Sequence, residues 1–304
     1  MALARTPIGS FSAPGGGHDL EDEGDEHVSD HSYGVIEAGS GHLGHITWAA
    51  FGPTDSPLAP AVLVHGLGDS SACWPGVVEH LAAERLVIVT DLRGHGGAPL
   101  PDGPVTVRAA ADDLAVVVHR VAQRPAALVG HSLGALVAQE VALRGPALTA
   151  ALVLEDPAWS ADEESFTEVA AWLHAMHDTS YARLLAKVAR DHPDWSAAEA
   201  APWAAAKRAL DLRVLERTAG LTDRDWVESL TDLAPDGDFL TTVLLGQEER
   251  GSAVPSTMAE RAEVLLEGKG QVLVLEAGHD VRRDQRAVYL ELLDAALVQP
   301  GGLA

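Results

Sequence analysis

The sequence contains a single cysteine, Cys73, among 304 residues. A lone thiol rules out an intrachain disulfide, so nothing in the sequence requires an oxidising compartment. The sequence also lacks an apolar run as long as a transmembrane helix, and Met1–Arg5 do not begin the long apolar stretch of a secretory signal. We therefore expect a cytoplasmic protein.

Positive charge is scarce as well. Lys and Arg number 21 against 45 Asp and Glu, which gives a formal charge of −24 at pH 7. A surface of this sign repels phosphate backbones and anionic lipid headgroups, so we expect neither a nucleic acid nor a membrane as a partner. Hydrophobic residues make up 47% of the chain, which is enough to build a sizeable core.

Acidic and small residues dominate the start of the chain. Such a segment cannot bury enough apolar surface to order itself, so residues 1–31 are predicted to be a flexible acidic tail. His18, His27 and His31 lie near the acids without an ordered ligand spacing, and no metal site is predicted there.

Short apolar runs then alternate with helical patterns. The predicted strands are Tyr33–Glu37, His45–Phe51, Ala61–Val64, Leu86–Thr90, Ala126–Val129 and Ala151–Leu154. The predicted helices between them are Trp74–Glu84, Thr106–Gln123 and Leu133–Leu143. This alternation predicts an α/β fold with a doubly wound, mostly parallel sheet, which places functional sites at the carboxyl ends of the strands.

The rhythm changes after residue 156. Residues 157–238 are predicted to contain only helices, with breaks near Thr179, His192-Pro193 and Gly220. Strands return at Thr241–Leu245 and Gln271–Leu275, before a final helix over Arg283–Val298. The predicted organisation is therefore a core of residues 32–156 and 239–304, into which a helical lid of residues 157–238 is inserted.

Residues 130–134 read Gly-His-Ser-Leu-Gly, directly after the predicted strand Ala126–Val129. This pattern predicts that Ser132 lies on a sharp turn between a strand and a helix, where its hydroxyl is open to a base and to oxyanion-binding amides. Gly130 and Gly134 would permit the tight backbone and the close approach of helix to strand. We therefore take Ser132 as the candidate nucleophile.

A second glycine turn, His65-Gly66-Leu67-Gly68, follows the predicted strand Ala61–Val64. In an enzyme that uses Ser132, this turn would place the Leu67 amide opposite the Leu133 amide, so that both point at a developing oxyanion. The two amides are the candidate oxyanion hole.

His279 has the best position for a catalytic base among the fourteen histidines. It follows a predicted strand, and a loop at that end of the sheet can bring an imidazole over to the serine. His65, His95 and His131 are assigned to structural roles. The segment Asp91–Gly96 is predicted to form a polar turn beside the site, without a catalytic role.

These motifs, in this order, resemble the α/β-hydrolase superfamily over about residues 33–299. The resemblance rests on His65-Gly66, the Asp91–Gly96 turn, the Gly130–Gly134 elbow and Gly278-His279. It implies the α/β-hydrolase fold, and it says little about the substrate.

The acid that orients His279 has two candidate positions. In most of the superfamily it follows the strand after the lid, commonly as Gly-x-x-Asp, and the matching segment Gly246–Glu249 ends in Glu249. In a minority that resembles haloalkane dehalogenases and zearalenone-type lactonases, it follows the strand after the nucleophile helix, where this chain has Asp156. We favour Asp156, keep Glu249 as the alternative and rank Glu155 third.

Five of the seven tryptophans fall in the predicted lid. A lid that presents such side chains to the sheet would form a hydrophobic pocket for a bulky or aromatic substrate. We assign most of the five to packing within the lid. Trp159 stands just past a strand end, where the pocket must begin, and is the one predicted substrate contact.

The predicted function is hydrolysis of an ester or lactone of a hydrophobic small molecule through an acyl-enzyme on Ser132. The chemistry needs no cofactor and no metal. Because the nucleophile is Ser and not Asp, dehalogenase and epoxide-hydrolase chemistry is not expected. Carbon–carbon bond hydrolysis and acyl transfer on the same residues stay open, as does a ligand-binding member of the superfamily with weak catalysis.

Overall fold

The computed structural model describes residues 33, 35–221, 223–234 and 239–298. The predicted tail, residues 1–31, lies outside the described residues. Across these ranges, no helix combines the length and the apolar character needed to cross a membrane.

The strands of the described residues are β1 Glu37–Leu43, β2 Ile46–Phe51, β3 Ala61–Val64, β4 Val87–Asp91, β5 Val105–Thr106, β6 Ala126–His131, β7 Thr149–Glu155, β8 Thr218–Ala219, β9 Thr241–Leu245 and β10 Gly270–Val274. Eight of them form the central sheet, in the order β1-β2-β4-β3-β6-β7-β9-β10. The two short strands β5 and β8 pair with each other in parallel. In the large sheet only β1–β2 and β2–β4 pair antiparallel, so the predicted mostly parallel sheet is confirmed.

Helices flank this sheet and form most of the described chain between β7 and β9. They are α1 Pro75–Leu81, α2 Val107–Val117, α3 Leu133–Arg144, α4 Glu163–Asp178, α5 Tyr181–Asp191, α6 Ala197–Ala209, α7 Arg213–Arg217, α8 Ser256–Leu265, α9 Val281–Asp284 and α10 Arg286–Ala296. Four of them, α4 to α7, fall within the segment predicted to be a helical lid. That segment also contributes β8, so the expectation that it contains helices only was wrong.

The core lies on both faces of the sheet, because the central strands are buried on both sides. Alternate residues of β6 point to opposite faces. Leu128 joins the cluster packed under α2 and α3, whereas Ala127 and Val129 join the cluster that includes side chains of α1 and α10. This two-sided burial explains why the strands read as continuous apolar runs.

Two predicted elements differ from the structure. The first strand is Glu37–Leu43, not Tyr33–Glu37, because β1 gains its hydrogen bonds by antiparallel pairing with β2 around Gly44, which has a φ of +66°. The final helix is broken at Gln285 into α9 and α10.

Candidate active site

Ser132 occupies the sharp turn between β6 and α3. Its backbone has φ 54° and ψ −117°, a region of the Ramachandran plot that residues other than glycine rarely adopt. Such a conformation costs on the order of 1–3 kcal/mol and persists only where the surroundings enforce it. One restraint is the hydrogen bond of 3.0 Å from the Ser132 amide to the Glu155 carbonyl of β7.

Two glycines make this turn possible by allowing close backbone contacts. A Cβ atom on Gly130 would lie 2.4 Å from the carbonyl oxygen of Gly134. A Cβ atom on Gly134 would lie 2.2 Å from the carbonyl oxygen of Val64 in β3. A side chain at either position would push α3 away from the strand ends and move the serine.

The imidazole of His279 is hydrogen-bonded to the carboxylate of Asp156. The distance from Nδ1 of His279 to Oδ2 of Asp156 is 2.6 Å. Because a carboxylate only accepts, Nδ1 carries the proton and Nε2 is left as the basic nitrogen. The backbone of Asp156 has a φ of 39°, a second strained position at the end of a strand.

The Asp156 carboxylate is fully buried and accepts three more hydrogen bonds. The donors are the amide of Gly246 at 3.1 Å, the hydroxyl of Ser252 at 2.6 Å and the amide of Ala253 at 2.7 Å. These contacts fix the carboxylate, and through it the plane of the imidazole.

Two opposing effects act on the pKa of His279. Removal of the ring from water alone would lower it, but the hydrogen bond and negative charge of Asp156 outweigh that effect. Asp280 and Glu155 add to the negative potential. The result is a histidine pKa above its ordinary value of 6.5.

The other two candidate acids lie elsewhere. Glu249 is exposed on a single 3-10 turn, where it lines a separate cavity that does not contain Ser132 or His279. Glu155 is buried but its carboxylate accepts from Arg282, through the backbone amide at 2.8 Å and the guanidinium at 3.0 Å. Of the three candidates, the structure brings Asp156 to His279.

Leu67 and Leu133 both line the cavity that contains Ser132 and His279. Leu133 is the first residue of α3, so its amide has no acceptor within the helix. The peptide that carries the Leu67 amide is anchored from its other side, because the Gly66 carbonyl accepts from the Asp69 amide at 3.1 Å. Both residues whose amides are predicted to hold the oxyanion therefore line the cavity.

His65 fixes the same turn. Its Nε2 accepts from the Leu92 amide at 3.0 Å, so Nδ1 carries the proton and donates to the Gly66 carbonyl at 2.8 Å. Burial lowers the pKa of this histidine, which stays neutral. The contacts agree with the structural role expected for His65.

Burial also lowers the pKa of the other two motif histidines. His95 falls to about 3, since the neighbouring His65 adds to the effect of burial. For His131 burial acts first and the charge of Arg282 second, and its Nε2 lies 3.1 Å from the His279 carbonyl. His131 thus packs against the loop that carries His279.

The Asp91 carboxylate serves the adjoining polar turn, as expected. It accepts from the amides of Ser71 at 2.6 Å and Gly97 at 2.9 Å and from the Thr47 hydroxyl at 2.9 Å.

Cys73 is no rival nucleophile, because burial, followed by the charge of Asp69, raises the pKa of its thiol to about 11.

The cavity above Ser132 has a volume of about 520 Å³. The segment between β7 and β9 contributes large apolar side chains to its walls and two charged ones, Glu168 and Lys207. The apolar side chains are Phe166, Val169, Trp172, Trp203 and Leu221. A space of this size and lining suits a small hydrophobic molecule.

Trp159 does not have the place expected of it. Its indole is buried in the core under α2 and α3, and its N–H donates to the Gln139 side chain at 2.9 Å. The structure places Trp172 and Trp203 at the cavity instead. Strand-end proximity misled the prediction, because the chain turns after Pro157 and directs the Trp159 ring inwards.

One group of potential metal ligands borders the cavity among the described residues. Oxygen and nitrogen atoms of Asp69, His131 and Asp280 lie within 4.8 Å of one another. However, the Asp69 carboxylate already pairs with Lys207, Arg282 and Arg283. Three cations on one carboxylate oppose a metal ion, so the donor set does not fit one.

A family model described as "Alpha/beta hydrolase family" matches residues 61–292 of this chain. Among curated proteins, lipase LipV of Mycobacterium tuberculosis is 36% identical over 115 residues, which cover 37% of this chain and 43% of the lipase. The putative carbamate hydrolase RutD of Agrobacterium fabrum is 37% identical over 112 residues, which cover 36% of this chain and 42% of that protein. The matches thus span less than half the length of these relatives.

Solved structures share the fold over most of the chain at low identity. E-2-(acetamidomethylene)succinate hydrolase has a TM-score of 0.68 at 22% identity, with 86% of this chain and 99% of that chain covered. Naproxen esterase from Bacillus subtilis has a TM-score of 0.64 at 18% identity, with 86% and 91% covered. At these identities the likeness shows the fold alone.

Proposed function

Because this chain belongs to the alpha/beta hydrolase family, we propose that it is a serine hydrolase that cleaves an ester or lactone of a hydrophobic small molecule. The observation that carries the proposal is the hydrogen bond between His279 and the buried Asp156, beside a cavity that also contains the strained Ser132.

The first half of the reaction forms an acyl-enzyme. Nε2 of His279 takes the Ser132 hydroxyl proton as Oγ attacks the substrate carbonyl carbon, and the carbonyl π electrons move to its oxygen. The amides of Leu67 and Leu133 donate to that oxyanion. As the carbonyl re-forms, the carbon–oxygen bond to the leaving group breaks, and the imidazolium gives its proton to the departing alkoxide.

The second half releases the acid. His279 takes a proton from water as the water oxygen attacks the acyl carbon, and the same two amides stabilise the second oxyanion. Collapse of this intermediate breaks the bond to Oγ, and the imidazolium returns the proton to Ser132. The Asp156 carboxylate accepts from Nδ1 of His279 and stabilises the imidazolium in each half.

The segment predicted as a lid supports the choice of a hydrophobic substrate. Side chains of α4 and α6 line the same cavity as Ser132, including Phe166, Trp172 and Trp203. Apolar walls exclude water from the reacting carbonyl and strengthen the hydrogen bonds of the oxyanion site. We assign residues 157–238 the role of a substrate-covering lid on this basis.

Hydrolysis of p-nitrophenyl butyrate by the purified protein tests the proposal. We expect steady turnover by the wild type and a fall of at least about 10³-fold in kcat for Ser132→Ala, because the acyl-enzyme cannot form. Folding of the variant is checked by circular dichroism. Equal turnover by the two folded proteins would refute the proposal, and tight ligand binding without turnover would favour a binding protein.

A further inference from the structure

Lys207 of α6 reaches down to the turn that carries the Leu67 amide. Its Nζ donates to the Gly68 carbonyl at 2.9 Å and is in contact with the Asp69 carboxylate. Lysine and aspartate side chains are only 3% and 4% exposed there. A fully buried ion pair between the inserted helices and this turn is expensive to desolvate, which calls for a reason beyond stability.

The turn that Lys207 contacts has a tightly constrained backbone. Gly66–Asp69 form a β-turn with Gly68 at φ +75°, the third position at which type II turns require glycine. A Cβ atom on Gly68 would lie 2.4 Å from the Leu173 side chain of α4, so the inserted helices press directly on the turn. The direction of the Leu67 amide follows from the planes of the peptides in this turn.

Asp69 also joins the Gly66–Asp69 turn to the segment that follows His279. Its Oδ2 accepts from the guanidinium of Arg283 at 3.0 Å and from that of Arg282 at 3.3 Å. Both arginines follow His279 within four residues, and Arg282 also binds the Glu155 carboxylate beside Asp156. The Asp69 carboxylate therefore links the Gly66–Asp69 turn, the segment that follows His279 and α6.

The cluster stays ionised. Burial alone would raise the pKa of Asp69, but the charges of Lys207, Arg283 and Arg282 outweigh burial and hold it well below its usual range. The hydrogen bonds between these side chains are therefore charge-assisted, which makes them strong and directional.

We propose that Lys207 is a positioning residue for the proposed reaction: it holds the Gly68 carbonyl and the Asp69 carboxylate so that the Leu67 amide stays aimed at the oxyanion. This inference rests on the proposed serine hydrolase. Lys207 also lines the cavity, but a direct substrate contact fits it less well, because its ammonium is engaged by the Gly68 carbonyl and the Asp69 carboxylate.

The test compares Lys207→Met and Lys207→Gln with the wild type in p-nitrophenyl butyrate hydrolysis. The methionine side chain is only one atom shorter than that of lysine and has no hydrogen-bond donor, whereas the glutamine side chain keeps a donor. We expect kcat to fall about 10-fold or more in Lys207→Met with KM within about twofold, since an interaction made only in the transition state is weakened. Lys207→Gln should recover part of kcat.

Two further readouts separate positioning from loss of folded protein. Dividing kcat by the fraction of protein labelled by a fluorophosphonate corrects for misfolded enzyme. The midpoint of the acidic limb of the pH profile should not move, because burial and the charges of Asp156, Asp280 and Glu155 act on the pKa of His279. The matched control is Lys187→Met, which removes an exposed lysine paired with Asp191 and should leave kcat unchanged.

Wild-type kcat per labelled site in Lys207→Met would overturn the positioning role while leaving the serine hydrolase intact. A loss of kcat/KM that comes entirely from KM would also overturn it, in favour of a substrate contact. A wild type that shows neither turnover nor labelling would instead refute the proposed function, and the positioning role with it.

Discussion

Asp156 is the residue whose removal separates the proposed triad from its alternatives. Its carboxylate accepts four hydrogen bonds, one of them from His279. Loss of the carboxylate leaves the imidazole free to turn and removes the charge that stabilises the imidazolium.

We predict that Asp156→Ala lowers kcat for p-nitrophenyl butyrate by ~10⁴-fold, as expected for loss of the orienting acid of a triad. Glu249→Ala is the matched control, because Glu249 is exposed and lines a different cavity. It should stay within about twofold of the wild type. A fully active Asp156→Ala protein beside an inactive Glu249→Ala protein would reverse the assignment.

The raised pKa of His279 predicts a pH dependence. The base works only when neutral, so kcat/KM should rise with pH and reach half its plateau above pH 6.5, the ordinary value for histidine. Asp156→Asn removes the charge that opposes desolvation of the ring, so its residual activity should have a midpoint at lower pH. A midpoint that moves upwards in this variant would contradict the assigned cause.

Single residues were predictable where a motif fixes both their type and their position. Ser132 lies on a turn that its two glycines dictate, whereas the acid was ambiguous because β7 and β9 are neighbours and either strand end lies near the histidine loop. Only the folded chain reveals that Glu155 points to Arg282 and Asp156 to His279.

Helix α4 presents one face to the cavity. Most of the α4 residues that line it have a neighbour three or four positions away, as residues on one side of a helix do: Ser165, Phe166, Glu168, Val169 and Trp172. The apolar pattern predicted the helix, but periodicity does not tell which side faces the sheet. The sequence favoured Trp159 over Trp172 because Trp159 stands just past a strand end.

We predict that Trp172→Ala weakens binding of bulky esters. The indole is 41% exposed and borders the cavity, so truncation removes apolar contact area without unsettling the core. The substitution should lower kcat/KM for 2-naphthyl butyrate about 10-fold more than kcat/KM for ethyl butyrate, mainly through a higher KM. Equal losses on the two esters would show that Trp172 does not contact the larger group.

At the level of the whole molecule, stability rests on the two-sided core of the sheet. Leu128 is fully buried in the middle of β6. We predict that Leu128→Ala lowers the free energy of unfolding by about 2–5 kcal/mol, because it removes buried methyl groups and leaves a cavity. Urea denaturation followed by circular dichroism measures the change.

Val274→Ala is the control for that measurement. Val274 lies on the edge strand β10 and is 57% exposed, so its truncation should change stability by no more than about 0.5 kcal/mol. Similar losses for Val274→Ala and Leu128→Ala would mean that the sheet centre does not dominate folding stability.

The parallel part of the sheet was the most predictable part of the fold. Ala61–Val64 is apolar throughout and Thr241–Leu245 is buried throughout, because helices cover both faces of the sheet, and the bounds of both strands were predicted correctly. The edge strand β1 carries no such pattern, since its pairing with β2 supplies its order. Long-range contacts of this kind leave little trace in a local stretch of sequence.

The most direct test of the account is mass spectrometry of the protein after reaction with a fluorophosphonate. We predict one adduct per chain, mapped to the peptide that contains Ser132, with no adduct in Ser132→Ala. Ser160→Ala, which removes another serine at the same cavity, should still be labelled. An adduct at another residue, or labelling that persists in Ser132→Ala, would contradict the claim that Ser132 is the nucleophile.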